Sequence, residues 1–291
     1  MLAFLRKSRY NGEVNTERSS TLLQLISDKS QNLKAFTENN YAQGSFFWNY
    51  LLKNKDIKVN GVRVDKDVPL KPGDTVTYYL TKKQEEKPAF YPVYEDENVL
   101  IIDKESGVNS EAVFTALSRT QECYFIHRLD RNTQGLLTFA KNSPSATALT
   151  NAFKERTVKK IYHALCFGSF PKKSDVLIAY LKKDEEKSLV RIYDKERKDT
   201  EKIVTEYLVL QENEGECKVE IVLHTGKTHQ IRAHLAHVGC PVVGDMKYGF
   251  TERNKEKKLA RQCLVAKCLQ FSLSGELSYL NEKTFFSKFN V

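Results

Sequence analysis

Ile126-His127-Arg128-Leu129-Asp130-Arg131-Asn132-Thr133-Gln134-Gly135-Leu136-Leu137 sets one short acid, Asp130, between a basic cluster and a polar turn, with an apolar run behind it. An acid so placed can cap its own loop by accepting backbone N–H bonds. Exposed on a cleft, it can instead serve as nucleophile or general base. Two further stretches carry side chains suited to such an acid. Lys160-Ile161-Tyr162 lies in a run, 159–168, that reads as a strand and offers a flat ring with a hydroxyl; the bland alternative is a tyrosine packed in the core. Lys227-Thr228-His229-Gln230-Ile231-Arg232-Ala233-His234 follows the alternating strand 219–224 and a glycine turn, and reads as a helix start. Arg232 can hold a carboxylate by two parallel bonds, as a lysine could not, although most helix arginines simply face solvent.

Three other patterns tempt and fail. Gly226-Lys227-Thr228 lacks the glycine five residues earlier that a phosphate-binding loop requires, since Ile221 stands there. His127-Arg128-Leu129-Asp130 has its acid displaced by one residue from a kinase catalytic loop, and no glycine-rich loop precedes it. His229, His234, His237 and Cys240 look like zinc ligands, yet only the three-residue steps from His234 to His237 and on to Cys240 make helical neighbours, and no second cysteine or carboxylate completes a set. Neither a metal nor another cofactor is expected.

The chain has 291 residues, a formal net charge of +9 and 29% charged residues. A basic excess of this size favours a polyanionic partner through phosphate neutralisation. Six cysteines without a C-x-x-C pair suggest reduced thiols in a cytoplasmic protein. The N-terminus lacks the apolar core of a signal peptide, and no run approaches the roughly eighteen apolar residues of a membrane span. Nothing demands a partner chain, so a monomer is expected.

The elements that must position these residues fall into two groups. Residues 1–17 are polar and expected to be flexible. From Ser20 the spacing of Leu22, Leu23, Leu25 and Ile26 predicts a helix, and a second helix is predicted from Ser45 to Leu52. Asp56–Val64 alternates around Asn60-Gly61, a hairpin signal, and Thr75–Leu80 reads as a third strand after the Lys71-Pro72-Gly73-Asp74 turn. The charged stretch 83–88, ending in Pro88, reads as a linker. Beyond it, Val99–Lys104 reads as a buried strand and Ser143–Arg156 as a helix.

The run His127-Arg128-Leu129-Asp130-x-x-Thr133-x-Gly135-Leu136-Leu137-x-x-Ala140-Lys141 closely resembles the signature of the RluA-type pseudouridine synthases. Lys160-x-Tyr162, the block from Gly226 through His234, and Gly244-Asp245-x-x-Tyr248-Gly249 are similar to that family's other motifs, in the same order. Gln134 stands where the family has serine, Lys227 where it has arginine, and neither the Lys-Pro-x-Gly proline nor a following His-Pro pair is present after Lys104. Residues 45–80 resemble the S4 RNA-binding domain. The resemblance implies an α+β architecture: a largely antiparallel mixed sheet with flanking helices over 89–291, preceded by a small α+β S4-like RNA-binding domain over 18–82. It implies isomerisation of uridine to its C-glycoside in structured RNA, ribosomal RNA being favoured and tRNA the other substrate class. Asp130, Tyr162 and Arg232 are then the catalytic residues. Whether Asp130 attacks C1′ or takes a proton from C2′ stays open. Arg128, Lys160, Lys227 and His229 would contact RNA in the catalytic domain, and Lys53, Lys55, Lys58, Arg63 and Lys66 in the S4-like module. The rival is an RNA-binding or ribosome-assembly protein of the same fold without activity, whose signature would be loss of the Asp, Tyr or Arg; all three are present.

Overall fold

The computed structural model describes residues 20–259 and 261–291, so the expectation for 1–17 lies outside the described residues. The chain divides into two compact units between Lys87 and Pro88.

The first unit contains β1 (Ser20–Ile26), β2 (Gln31–Asn32), α1 (Leu33–Asn40), α2 (Ala42–Phe46), α3 (Trp48–Lys53), β3 (Ile57–Val59), β4 (Val62–Val64), β5 (Pro69–Leu70), β6 (Thr75–Thr81) and α4 (Lys82–Glu85). Its sheet runs β1-β6-β3-β4, and β2 pairs with β5. The helix expected from Ser20 is a strand. β1 pairs with β6 along its whole length, Leu23 and Leu25 turn toward the core, and Leu22 and Ile26 are exposed. Four aliphatic residues in five positions satisfy either period, and strand pairing decided between them. The expected 45–52 helix is interrupted at Phe47, whose φ of −95° and ψ of 11° divide α2 from α3. The Asn60-Gly61 turn is as expected: both residues have positive φ, 49° and 82°, and Val59 pairs with Val62 across a two-residue loop. The stretch read as a linker begins inside α4, a helical turn whose start is fixed by a reciprocal Thr81–Gln84 capping box.

The second unit contains β7 (Phe90–Glu95), β8 (Val99–Lys104), α5 (Ser110–Leu117), β9 (Tyr124–Phe125), β10 (Gln134–Ala140), α6 (Ser143–Glu155), β11 (Val158–Phe167), β12 (Ser174–Asp184), β13 (Leu189–Tyr193), β14 (Glu201–Asn213), β15 (Glu216–Leu223), α7 (Gln230–His237), α8 (Thr251–Glu256), β16 (Leu264–Phe271) and β17 (Thr284–Phe286). One mixed sheet in the order β13-β12-β14-β15-β11-β16-β10-β8-β7 runs through the unit, with β9 on β10 and β17 on β16; among the described residues only β10 and β16 pair in parallel. That parallel contact needs Gly135: a Cβ there would lie 2.3 Å from the Ala266 carbonyl oxygen, and its φ is +113°.

Among the described residues, two apolar clusters packed on this sheet bear on the site. Val99, Ile101, Leu136, Leu149, Leu269, Phe271 and Phe285 form one, where α6 lies on the central strands. α6 starts at Asn142, whose side chain accepts from the Ser145 N–H at 2.9 Å, and ends at Arg156 in a left-handed conformation. Ala179, Leu181, Val190 and Ile203 form the other, under Ala233 of α7. α7 begins three residues later than the sequence suggested. Gln230 sets its start: the side-chain oxygen accepts from Thr225 Oγ1 at 2.9 Å and the Lys227 N–H at 3.1 Å, while the amide donates to the Val204 carbonyl at 3.1 Å and Thr205 Oγ1 at 3.0 Å.

Candidate active site

Asp130 lies in the stretch between β9 and β10, Arg232 on α7 and Asp245 in the loop that follows α7. The Arg232 guanidinium joins all three. Its Nη1 donates to Asp130 Oδ2 at 2.8 Å, while Nε and Nη2 donate to the two oxygens of Asp245 at 2.6 and 3.0 Å. Asp245 is buried and also accepts from the backbone N–H groups of Lys247 (2.8 Å) and Tyr248 (3.1 Å). Asn254 of α8 closes the support, donating to the Asp245 carbonyl at 3.0 Å and accepting from the Gly244 N–H at 2.8 Å. Burial works against the Arg232 cation, but the bonds and charge of Asp245 and Asp130 outweigh it and hold the guanidinium above its ordinary pKa. For Asp245, burial favours the neutral acid, and Arg232 with the two backbone N–H groups reverses that, keeping the carboxyl below its usual range. The result is a buried arginine with one face committed to Asp245 and one N–H left for Asp130.

The Asp130 side chain is 21% exposed, against 9% for Arg232 and 1% for Asp245, so the carboxylate is the part of the network that meets solvent. Oδ1 accepts no hydrogen bond among the described residues and is open to a ligand. Tyr162, on the central strand β11, is buried, and burial followed by the charge of Asp130 pushes its phenol up, so the hydroxyl keeps its proton. No hydrogen bond to that hydroxyl is formed among the described residues.

His229, expected to touch RNA, also lies within this network. Its Nε2 is 4.0 Å from Asp130 Oδ2, and its Nδ1 is 2.8 Å from the Tyr248 hydroxyl, which accepts from the Val190 N–H at 2.9 Å. Burial lowers the His229 pKa, Asp130 opposing and Arg232 adding to the effect. Lys227 is ion-paired with Glu201. Arg128 is exposed and pairs with Glu111 at 2.9 Å. Lys160 is half-buried over the Phe153 ring and has no acidic partner among the described residues. In the first unit, Lys53 and Lys66 are exposed, and Lys58 and Arg63 flank the Tyr79 ring at 5.3 and 5.7 Å. Arg63 also donates to the Lys55 carbonyl at 2.6 Å, and Lys55 pairs with Asp65 at 3.3 Å.

The four residues weighed as zinc ligands go separate ways. His234 meets Thr205 Oγ1 at 3.0 Å, His237 meets Asp194 at 2.7 Å, and Cys240 donates to the Ser169 carbonyl at 3.4 Å. Among the described residues no group of three or more His, Cys, Asp or Glu side chains is arranged to hold a metal ion.

Behind Asp130, Lys104 is wholly buried, with its Nζ 2.9, 2.8 and 3.1 Å from the carbonyls of Glu105, Val108 and Arg131. Burial lowers its pKa to about 7, with Asp130 the leading opposing charge. Neither Lys104 nor Asp245 was singled out from the sequence as a site residue, although both sit in motif-bearing stretches. Lys104 bonds the loop that follows its own strand as well as Arg131, and Asp245 meets Arg232 across the end of α7, contacts made by loop geometry rather than by a repeating spacing.

The arrangement is a carboxylate that meets solvent, fixed by a buried arginine near a protonated tyrosine, and such an acid can act as nucleophile or general base. A family model described as RNA pseudouridylate synthase matches residues 85–237. Ribosomal large subunit pseudouridine synthase C of Rickettsia conorii is 30% identical over 262 residues, covering 80% of this chain and 86% of that protein. The protein of the same name from Vibrio parahaemolyticus is 32% identical over 224 residues, covering 68% and 70%. The solved structure of Human RNA Pseudouridylate Synthase Domain Containing 1 superposes with a TM-score of 0.57 at 27% identity, covering 64% of this chain and 79% of that one. The chain therefore belongs to the RNA pseudouridylate synthase family, isomerases that turn uridine in RNA into pseudouridine.

Proposed function

We propose that this protein isomerises particular uridines in structured RNA, with ribosomal RNA favoured and tRNA the second substrate class, and that Asp130, Tyr162 and Arg232 carry the reaction. Pseudouridine formation breaks N1–C1′, turns the uracil and joins C5 to C1′; the C5 proton leaves and N1 gains one. The free Oδ1 of Asp130 acts at the ribose, as nucleophile at C1′ or base at C2′, while Arg232 keeps the carboxylate aimed. Tyr162 stacks on the detached uracil and bounds the pocket. The relatives named as ribosomal large subunit synthases support the ribosomal choice.

The target base must leave its stack, at a cost of a few kcal/mol, which phosphate contacts offset. Arg128 and Lys160 make those contacts near the site. The first unit, read as an S4-like module, binds folded RNA through Lys53, Lys55, Lys58 and Arg63. The protein works as a monomer in the cytoplasm. Among the described residues no helix is long and apolar enough to cross a membrane.

The observation that carries this reading is the partly exposed Asp130 carboxylate bonded at 2.8 Å to an arginine already anchored by Asp245. Purified protein incubated with ribosomal or transfer RNA tritiated at uridine C5 tests it. Tritium should pass to water with the wild type and not with Asp130→Asn. Release by Asp130→Asn at the wild-type rate would overturn the assignment.

A further inference from the structure

From Leu129 to Asn132 the chain runs outside any strand, so its four carbonyls have no ladder partners. Buried or half-buried carbonyls of this kind need other donors. Each has one. The Asp130 carbonyl accepts from the Thr133 N–H at 3.0 Å, a bond inside the loop. The other three are served by the segment 104–110, which joins β8 to α5. Arg131 accepts from the Gly107 N–H at 2.9 Å and from Lys104 Nζ at 3.1 Å, and Asn132 accepts from Ser106 Oγ at 3.0 Å. Leu129 accepts from Ser110 Oγ at 3.1 Å.

Ser110 differs from the rest of that set. Its hydroxyl also accepts from the Leu129 N–H at 3.0 Å, so one oxygen holds both backbone groups of one residue. The side chain is wholly buried, and no other hydroxyl is bonded to Leu129 among the described residues. The Leu129 carbonyl belongs to the planar peptide unit whose nitrogen is that of Asp130. Holding that plane, with the Asp130 carbonyl held in turn by the Thr133 N–H, restricts the direction in which the Asp130 side chain leaves the backbone. Asn109, the residue preceding α5, makes no side-chain cap, and the Ser110 hydroxyl is spent on Leu129 rather than on its own helix.

We propose that Ser110 is a positioning residue for Asp130, acting through the Leu129–Asp130 peptide and supported by Ser106 and Lys104; this rests on the catalytic assignment of Asp130 above. Without the hydroxyl, the Leu129 N–H and carbonyl lose their partner and the peptide plane is free to rock. The ribose-facing oxygen then moves relative to an arginine that cannot follow it, because Asp245 holds the other face of the guanidinium. A displacement of about 1 Å at a reacting group costs up to about a hundredfold in rate.

The test uses the full chain and ribosomal RNA tritiated at uridine C5, with single-turnover rates alongside RNA binding and thermal melting. Ser110→Ala should slow the chemical step by about tenfold or more, with RNA affinity within about twofold of wild type. Ser110→Cys keeps the side-chain shape with a somewhat bulkier and weaker hydrogen-bonding atom, and should fold with an intermediate rate. Wild-type rates in both variants, or a loss of rate matched by an equal loss of affinity, would overturn the proposal. If Ser110→Ala does not fold, Ser110→Cys decides alone: an undiminished rate refutes, and a slowed step at unchanged affinity supports. An inert wild type would instead sink the catalytic reading itself, on which this one stands.

Discussion

Arg232 makes three hydrogen bonds to two acids, so its replacements should separate position from charge. Arg232→Lys keeps the charge but cannot span Asp245 and Asp130 together. It is expected to lower turnover by about a hundredfold with little change in RNA affinity; turnover near wild type would contradict the network. Asp245→Ala leaves the buried guanidinium with only Asp130, and should cost about 3–5 kcal/mol in urea unfolding besides the loss of activity. Much of this site is legible in the sequence because the family motifs name Asp130, Tyr162 and Arg232 directly. The support from Asp245, Asn254 and Lys104 is not, since it depends on how loops fold back on α7 and on the Asp130 stretch. His229 is named by the same motif block, but its contacts with Tyr248 and Asp130 are legible only in the fold.

At the scale of elements, the sequence is most readable where turn chemistry and period agree, as at Asn60-Gly61 and in α6. It misleads at Ser20–Ile26, where an aliphatic run fits two periods and only the partner strand β6 decides. The long strands β12 and β14 and the helices α1 and α5 carry no motif, and their places come from sheet pairing and burial. Two histidines tie elements together in neutral form. His127 accepts from the Thr138 N–H at 3.0 Å and stacks on Phe153 of α6, and burial, aided by the charge of Lys160, lowers its pKa to about 3. His234 is likewise lowered by burial to about 4, His237 adding to the effect. Unfolded histidine titrates near 6.5, so on acidification the unfolded chain takes up these protons first. Their contribution is complete above about 6.5 and is lost as pH falls toward 4 and 3, at roughly 3–5 kcal/mol each. Melting temperature should therefore fall between about pH 6.5 and 4.5, before most carboxylates titrate; a flat profile there would contradict the neutral assignment. Gly135→Ala, with its Cβ driven against the Ala266 carbonyl, should destabilise the second unit by about 3 kcal/mol or more, read by chemical denaturation.

For the molecule as a whole, a formal charge of +9 favours a polyanionic partner independently of that partner's sequence. If the first unit binds RNA through that charge, replacing Lys53, Lys58 and Arg63 by Gln should weaken binding to folded RNA. The salt dependence should also flatten, by about one unit of slope for each phosphate no longer neutralised. Turnover at saturating RNA should stay as it was. Equal affinity for the triple variant at every salt concentration would show that the first unit does not hold the RNA.

Whether Asp130 makes pseudouridine in cellular RNA is decided by mapping that base through carbodiimide-stop sequencing. The cells compared would have the gene, lack it, or lack it and be rescued by wild type or Asp130→Asn. At least one uridine, in ribosomal RNA, should lose its mark with the gene and regain it only with the wild-type protein. A map that does not change while the protein is expressed, or a mark fully restored by Asp130→Asn, would contradict the assignment.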